Sequence, residues 1–505
     1  MFKVLPAALM VFLKTKGFEM SEWDASLQLC VFDTSRGQCD GHELDKILFF
    51  YPTDCPLAAQ LSLIGLGEGL ITFTKIFSPD APCDVIDSER RLHVLFQPEQ
   101  GLWMIMVLDK RKENSEIGRT HALQAVLREA HGLFTLFYGS LKALLSNNPS
   151  GDIARSCLHA FLPDYLADLL TGKKLLMMSS HFALQERGSV QMTALDRGTA
   201  LEVQSLIDLL QSWFGSGRIC HTLLLFQDLL VSSTLSPEDA AYLFTYARMR
   251  LTPAAISATS SGHSLKKSPL REDSGDQGLE VFTPRPLQRD KWWRDHDGFL
   301  ITDAWGVEAQ GMSAIIPTVW LHQSSEECMQ LVAYQHKQLT VIMLISVVHL
   351  AADIDGSHVL RNQVVDKASN RLSVLEERIS RDWGGINANH VPGYRYLWVD
   401  HDSRVSKASP GSKITTLTKD SLLSLDKVRA EIDAAKARSD RKDPAQFREL
   451  ETCVRTRSNA WVVVRIRGSH ELYIVLERAS ETLLLTAEAT EKFSRRHCDG
   501  IFDSD

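Results

Sequence analysis

Hydrophobic residues along this chain follow two rhythms, a period near two that marks strands and one near 3.6 that marks helices. Residues 27–32 and 46–51 are short β-rich runs separated by turn formers from Arg36-Gly37 to Asp40-Gly41, which predicts a hairpin. Pro56 opens residues 57–77, where Leu57, Leu61, Ile64 and Ile71 recur at helical spacing. Each of its glycines costs about 1 kcal/mol of helix propensity relative to alanine, yet the spacing still predicts a helix. Residues 91–97 and 102–109 read as strands around Pro98-Glu99-Gln100-Gly101. Leu123, Val126, Leu127, Ala130, Phe134, Phe137, Leu141 and Leu144 then form one helical stripe that stops at Asn147-Asn148-Pro149.

The same order returns. Residues 221–226 and 229–233 are strand-like, and Ser236-Pro237-Glu238-Asp239 supplies an N-cap, a proline at the first helical position and early acid. Residues 257–290 are rich in Ser, Gly, Pro and charge, too poor in large apolar groups to offset ordering entropy, so a disordered insertion is expected. Strands are predicted at 298–302 and 314–321, and residues 339–348 are so apolar that their strand must be central. A helix follows through Val365, Ala368, Leu372, Leu375 and Ile379, ending at Gly384-Gly385. The third pass has strands at 394–399, 461–467 and 472–477, a charged helix through Leu425, Val428, Ile432 and Ala435, and a closing helix at 482–493. The predicted organisation is an extension at 1–20, α/β units at 21–150, 219–385 and 386–505, and a connecting helical and β region at 151–218.

Composition narrows the class. The 505 residues, 44% hydrophobic and 23% charged, suit roughly three domains with real cores. A formal charge of -8 argues against nucleic-acid binding through a broad cationic surface. Nine scattered cysteines without a Cys-x-x-Cys describe neither a disulfide framework nor a zinc finger, and point to reducing cytosol. The apolar run 4–13 is too short to span a bilayer and lacks a small-x-small cleavage signal.

Searches for catalytic chemistry return little. Gly65-Leu66-Gly67-Glu68-Gly69 lacks phosphate-loop spacing and a Walker lysine, and Gly172-Lys173-Lys174 lacks the glycine loop. Asp353-Ile354-Asp355-Gly356 has Val364 where a calcium loop needs a bidentate glutamate. Asp273-Ser274-Gly275-Asp276 lies in the polar insertion, and Asp400-His401-Asp402 reads as a turn. No catalytic residue, cofactor site or metal site is therefore predicted, and the chain is expected to act by binding. Arg455 and Arg457, then Arg465 and Arg467, are spaced by two, which on strands puts each pair on one face. They are candidate contacts for anionic lipid or an acidic partner, against the alternative of a solvated sheet face. Trp292-Trp293 is expected to clamp the chain where it re-enters the fold.

Residues 29–37 (LCVFDTSRG), 43–52 (ELDKILFFYP) and 60–74 (QLSLIGLGEGLITFT) resemble the start of the Ccz vacuolar fusion proteins, particularly plant members. Glu186-Arg-Gly-Ser-Val-Gln-Met192, Ala200-Leu-Glu-Val-Gln-Ser205 and Tyr334-Gln-His-Lys-Gln-Leu-Thr340 are similar too, so the resemblance covers most of the chain apart from 1–20 and 257–290. It implies three tandem longin-like α/β domains, a heterodimer with the Mon subunit, and guanine-nucleotide exchange on a late-endosomal or vacuolar Rab GTPase. It further implies a peripheral place on late-endosomal and vacuolar membranes. By that pattern the first domain faces the Rab, which makes Leu61, Ile64, Gly65 and Glu68 candidate interface residues, with Ile47, Phe49 and Val107 as core. The alternatives are another longin-type trafficking adaptor, or a soluble hydrolase or transferase with unrecognised carboxylates.

Overall fold

A computed structural model describes residues 27–502 apart from 40, 78–83, 110–119, 172–183, 185, 194, 214–218, 262–291, 303–316, 323–327, 347–361, 363, 386–388, 440–448, 477–481 and 499–500. The first unit contains β1 (Leu27–Asp33), β2 (Ile47–Tyr51), helix α1 (Leu57–Phe77), β3 (Val85–Asp87), β4 (Arg91–Glu99) and β5 (Leu102–Asp109). Its sheet runs β2-β1-β5-β4-β3, all antiparallel. Alternation sorts β4 cleanly: Leu92 and Val94 enter one core, while Leu95 enters the other beneath α1.

The stripe expected to run unbroken to Leu144 is two helices, α2 (Thr120–Tyr138) and α3 (Leu141–Asn147). Gly139, at φ +80°, turns the chain between them, and Ser140 then caps α3 by accepting from the Ala143 N–H. Residues 151–218, read as one connecting region, are shared among neighbours. Helix α4 (Asp152–Thr171) packs on β2 and α2, the two-residue β6 (Val190–Gln191) joins the third sheet, and α5 (Arg197–Trp213) lies on the second.

The second sheet runs β11-β12-β13-β7-β8. Its members are β7 (Ile219–Phe226), β8 (Leu229–Ser233), β11 (Thr318–Trp320), β12 (Cys328–His336) and β13 (Leu339–Ser346), while β9 (Trp292–Arg294) and β10 (Leu300–Thr302) form a separate ribbon. β13 is the central strand, as its unbroken apolar run demands. Helix α6 (Pro237–Arg250) begins at the predicted cap, Ser236 accepting from the Asp239 N–H. Its successor α7 (Pro253–Ser261) takes in residues 257–261, which were expected to be disordered; residues 262–291, the rest of that insertion included, lie outside the described residues. Helix α8 (Ser369–Asp382) follows a π turn at Val364–Ala368 and packs on α5 and β12. Trp292 is the buried clamp, its Nε1–H donating to Tyr246 Oη, whereas Trp293 stays exposed.

The third sheet runs β16-β17-β18-β14-β15-β6, built from β14 (Tyr394–Asp400), β15 (Val405–Ala408), β16 (Glu449–Arg455), β17 (Trp461–Arg467) and β18 (His470–Leu476). Helix α9 (Lys419–Ser439) covers the face carrying Val462, Val464, Tyr473 and Val475, and α10 (Leu483–His497) covers the face carrying Val463, Ile474 and Tyr396. The chain is thus mixed α/β, with antiparallel-dominated sheets flanked by helices.

Candidate functional site

Helix α1 buries one face and shows another. Leu63, Ile64, Leu70 and Ile71 are buried, and Gly67 lies so close to β5 that a Cβ there would stand 2.4 Å from Ile105 Cδ1. The contact face is therefore rotated from the stripe read off Leu57 and Leu61: Leu57 is 56% exposed and Leu61 half-buried. Outward lie Ala58, Leu61, Gly65, Gly69, Thr72 and Ile76, with nothing within 4 Å of a Cβ built at Gly65 or Gly69. The glycine run is a continuous helix here and not a phosphate loop. By length and composition α1 could cross a membrane, but in this fold it lies on the first sheet.

The four interface candidates therefore divide. Leu61 and Gly65 are on the outer face, and Ile64, 2% exposed, points into the sheet and is not available to a partner. Glu68 is held at home: Lys46 Nζ donates to Oε1 at 3.0 Å and Oε2 at 2.9 Å. Phe49 and Val107 are core as expected, and Ile47 packs against the core.

The four arginines do not converge on one surface. Arg465 and Arg467 share a face of β17, but Arg465 Nε lies 3.2 Å from Glu451 Oε2 and Arg467 donates to the Ile501 carbonyl. Arg455 lies over the Trp461 ring at 5.7 Å, and Arg457 is in the turn beyond β16 and not on a strand. Asp400-His401-Asp402 is a turn, with Asp400 Oδ1 accepting from the Asp402 N–H. The remaining motifs at 172–174, 273–276 and 353–356 lie outside the described residues.

A polar junction that sequence reasoning missed joins the three units through residues 184 and 186–193. Leu184 is buried in the α9 core, Glu186 accepts from the fully buried Arg429 of α9, and Ser189 Oγ donates to Ser406 Oγ at 2.7 Å. Arg187 turns the other way, reaching Glu129 Oε1 of α2 at 2.8 Å, where Tyr165 Oη also donates at 2.9 Å. Burial and the Glu129 charge hold the Tyr165 phenol well above its ordinary pKa. Val190 and Gln191 then pair with β15, and Met192 bridges Leu230 of β8. Arg404 completes the junction with Glu238 of α6 at 2.9 Å. The legible signal was a glutamate, Glu129, inside an otherwise apolar helical stripe.

Among the described residues, no group of three or more His, Cys, Asp or Glu could hold a metal ion. Glu471 is the most perturbed carboxylate near the junction. Burial alone would raise its pKa, but hydrogen bonds and charge from His401 and Lys436 outweigh burial and hold it well below the usual range. That arrangement fixes α9 and the β14–β15 turn to the sheet.

Residues 27–139 match the family described as "First Longin domain of INTU, CCZ1 and HPS4", and residues 219–373 match "Intu longin-like domain 2". The chain is 46% identical to vacuolar fusion protein CCZ1 homolog A of Arabidopsis thaliana, an alignment covering 96% of this chain and 99% of that one. It is 47% identical to the CCZ1 homolog of Oryza sativa subsp. japonica, covering 95% and 98%. A Nematostella vectensis CCZ1 homolog is similar at 25% identity over 94% of this chain and 97% of its own.

Proposed function

This chain belongs to the CCZ1 family of vacuolar fusion proteins and has a role in vacuolar trafficking, and from that premise we propose that it is one subunit of a heterodimeric guanine-nucleotide exchange factor. Its partner is the Mon subunit, its target a late-endosomal or vacuolar Rab GTPase, and its place of action the cytoplasmic surface of those membranes. The third sheet with α9 and α10 serves as the third longin-like domain.

The observation that carries this reading is the outer face of α1. A helix whose Gly65 and Gly69 stand open to solvent beside Leu61 and the 72% exposed Ile76 offers a partner a close, apolar approach. Exchange needs no bond-making by the protein. The complex has only to bind the nucleotide-free GTPase more tightly than the loaded form, which shifts the switch regions toward release. On this reading the chain is a regulatory subunit and not an enzyme with its own nucleophile, metal or cofactor.

The test is release of fluorescent GDP from a late-endosomal Rab by this chain, by the Mon subunit, and by the two together. Acceleration by the mixture is expected. A folded complex that leaves the intrinsic rate unchanged would overturn the proposal.

A further inference from the structure

Arg455 and Arg457, which form no common face with Arg465 and Arg467, flank an exposed serine. β16 is the outer strand of the third sheet and pairs with β17 alone among the described residues. Residues 456–460 turn the chain between these two strands. Thr456 closes the base of the turn: its N–H donates to the Ala460 carbonyl at 2.8 Å and its hydroxyl accepts from the Ala460 N–H at 3.0 Å. Asn459, at φ +61°, takes the left-handed conformation that reverses the chain. Arg457, Ser458 and Asn459 are thereby lifted out as an exposed tip over buried Thr456 and Ala460.

The sequence running into the tip, Arg455-Thr456-Arg457-Ser458, places arginines three and one residues before a serine hydroxyl. Protein kinases choose substrates by charge at such flanking positions, and an arginine three residues upstream is what an arginine-directed kinase reads. Spacing alone is a weak signal, because other serines closely follow arginines, and burial separates them. Ser406 follows Arg404 but is 2% exposed, with its Oγ engaged by Ser189. Ser373 follows Arg371 in the interior of α8 and meets His336 Nε2 at 2.7 Å. Ser458 stands on a turn at the open side of an outer strand, where Arg455 is exposed with it.

The surroundings suit the modified residue as well. Ser458 Oγ lies 3.1 Å from Thr418 Oγ1, 3.3 Å from Ser421 Oγ and 2.9 Å from Thr456 Oγ1, and its N–H donates to Asp420 Oδ2. Thr418 caps α9 by accepting from the Ser421 N–H at 3.2 Å, so this hydroxyl cluster joins the tip to the first turn of that helix. Each hydroxyl can rotate to donate to a phosphate oxygen. Exposed Lys419, Arg455 and Arg457 set three cations on the turn and helix start against the one carboxylate of Asp420, which leaves two positive charges to meet a phosphate dianion.

We propose that Ser458 is a phosphorylation site for an arginine-directed serine/threonine kinase, and that its phosphate clamps the β16–β17 turn to the start of α9. In the transfer, Ser458 Oγ bonds to the γ-phosphorus of ATP as that phosphorus parts from its bridging oxygen. ADP leaves, and the hydroxyl proton passes to the catalytic aspartate of the kinase. The site belongs to the third unit, whereas the α1 face offered to a partner belongs to the first, and the test reads neither nucleotide exchange nor partner binding.

The experiment treats the full chain with ATP and a purified kinase that requires arginine three residues before its serine, and locates phosphate by tandem mass spectrometry. Phosphate at Ser458 is expected, and none there from an acidophilic kinase run in parallel. Arg455→Gln is expected to slow the modification about 10-fold. Arg455→Lys, which keeps a cation over the Trp461 ring, slows it too, because the kinase reads a bidentate guanidinium and not a point charge. Amide exchange at Ser421 and Leu422 slows about 5-fold in the phosphorylated chain, and not in Ser458→Ala treated in the same way. An unmodified Ser458, equal labelling by the acidophilic kinase, a rate indifferent to Arg455, or unchanged or faster exchange at the start of α9 overturns the proposal.

Discussion

Gly132 of α2 and Tyr242 of α6 are pressed together so closely that a methyl group at Gly132 would stand 2.1 Å from Tyr242 Cζ. The contact joins two units, since α2 belongs with the first sheet and α6 with the second. Phe137 meets Tyr246 nearby, ring centroids 4.6 Å apart, and one continuous apolar cluster runs through both sheets. Glycine is required here by proximity and not by backbone angle, in the interior of a helix where it otherwise costs about 1 kcal/mol.

Gly132→Ala is therefore expected to destabilise the protein although alanine favours helix. The clash is with a packed ring, so the upper part of the about 1–3 kcal/mol overpacking range applies, and helix propensity returns about 1, for a net loss of up to about 2 kcal/mol in urea unfolding. In a Tyr242→Ala background the clash is gone and the penalty should vanish. An unchanged midpoint for Gly132→Ala alone would show that the two helices are not locked together.

His93 on β4 gives a pH dependence with a definite sign. It is buried with neither ring nitrogen in a well-formed hydrogen bond, and burial, helped by repulsion from Arg91, lowers its pKa from 6.5 to about 4. Above pH 6.5 the ring is neutral in both states and contributes nothing. As pH falls from 6.5 toward 4 the unfolded chain takes up a proton that the native chain refuses, so stability drops, by on the order of 3 kcal/mol once the pH passes below 4. His93→Leu should flatten this part of the profile, measured as the difference in unfolding free energy between pH 7 and pH 5. An identical slope in variant and wild type would refute the account.

What was legible in the sequence followed from strong, local signals. The unbroken apolar run of β13 required a central strand, and Ser236-Pro237-Glu238-Asp239 fixed the start of α6. Strands whose outward residues are polar or charged escaped notice: β16 alternates Glu449 and Glu451 with Leu450 and Thr452, and β15 is only Val405–Ala408. Periodicity found the contact face of α1 only in part, since Ile64 and Ile71 are buried but Leu57 and Leu61 are not. A stripe counts large residues only, whereas the helix approaches its sheet through Gly67, a residue with no side chain to count. The junction was overlooked for a different reason. Glu129 stands out in its helix, but Arg187 is far from it in sequence and nothing local names the arginine as its partner.

That ion pair supports a third prediction. Arg187→Met removes the cation and leaves Glu129, whose side chain is 9% exposed, with Tyr165 as its hydrogen-bond donor among the described residues. Breaking a buried pair costs about 3–5 kcal/mol, and the low end applies because Arg187 keeps 24% of its side chain exposed. Replacing both partners, Glu129→Gln with Arg187→Met, should recover much of the loss, since no uncompensated charge remains. Equal destabilisation by the single and double variants in urea titration would count against the pair as the bond that holds residues 184 and 186–193 to α2.

The two central glycines of α1 separate stability from partner binding. A side chain at Gly65 enters open space, so Gly65→Arg should fold normally and gain up to about 1 kcal/mol from helix propensity. A side chain at Gly67 is driven into Ile105, and Gly67→Val should lose about 1–3 kcal/mol through overpacking. The functional outcomes are the reverse. A long charged group at Gly65 stands on the face proposed to approach a partner, so co-purification with that partner, the Rab or the Mon subunit, and acceleration of GDP release should both be lost while the unfolding midpoint is kept. Gly67→Val, altered only on the inner face, should retain both activities at temperatures below its lowered midpoint. Because stability and activity are expected to move in opposite directions in these two variants, general damage to the fold cannot imitate the result. Full exchange activity in Gly65→Arg would remove the outer face of α1 from the proposed interface.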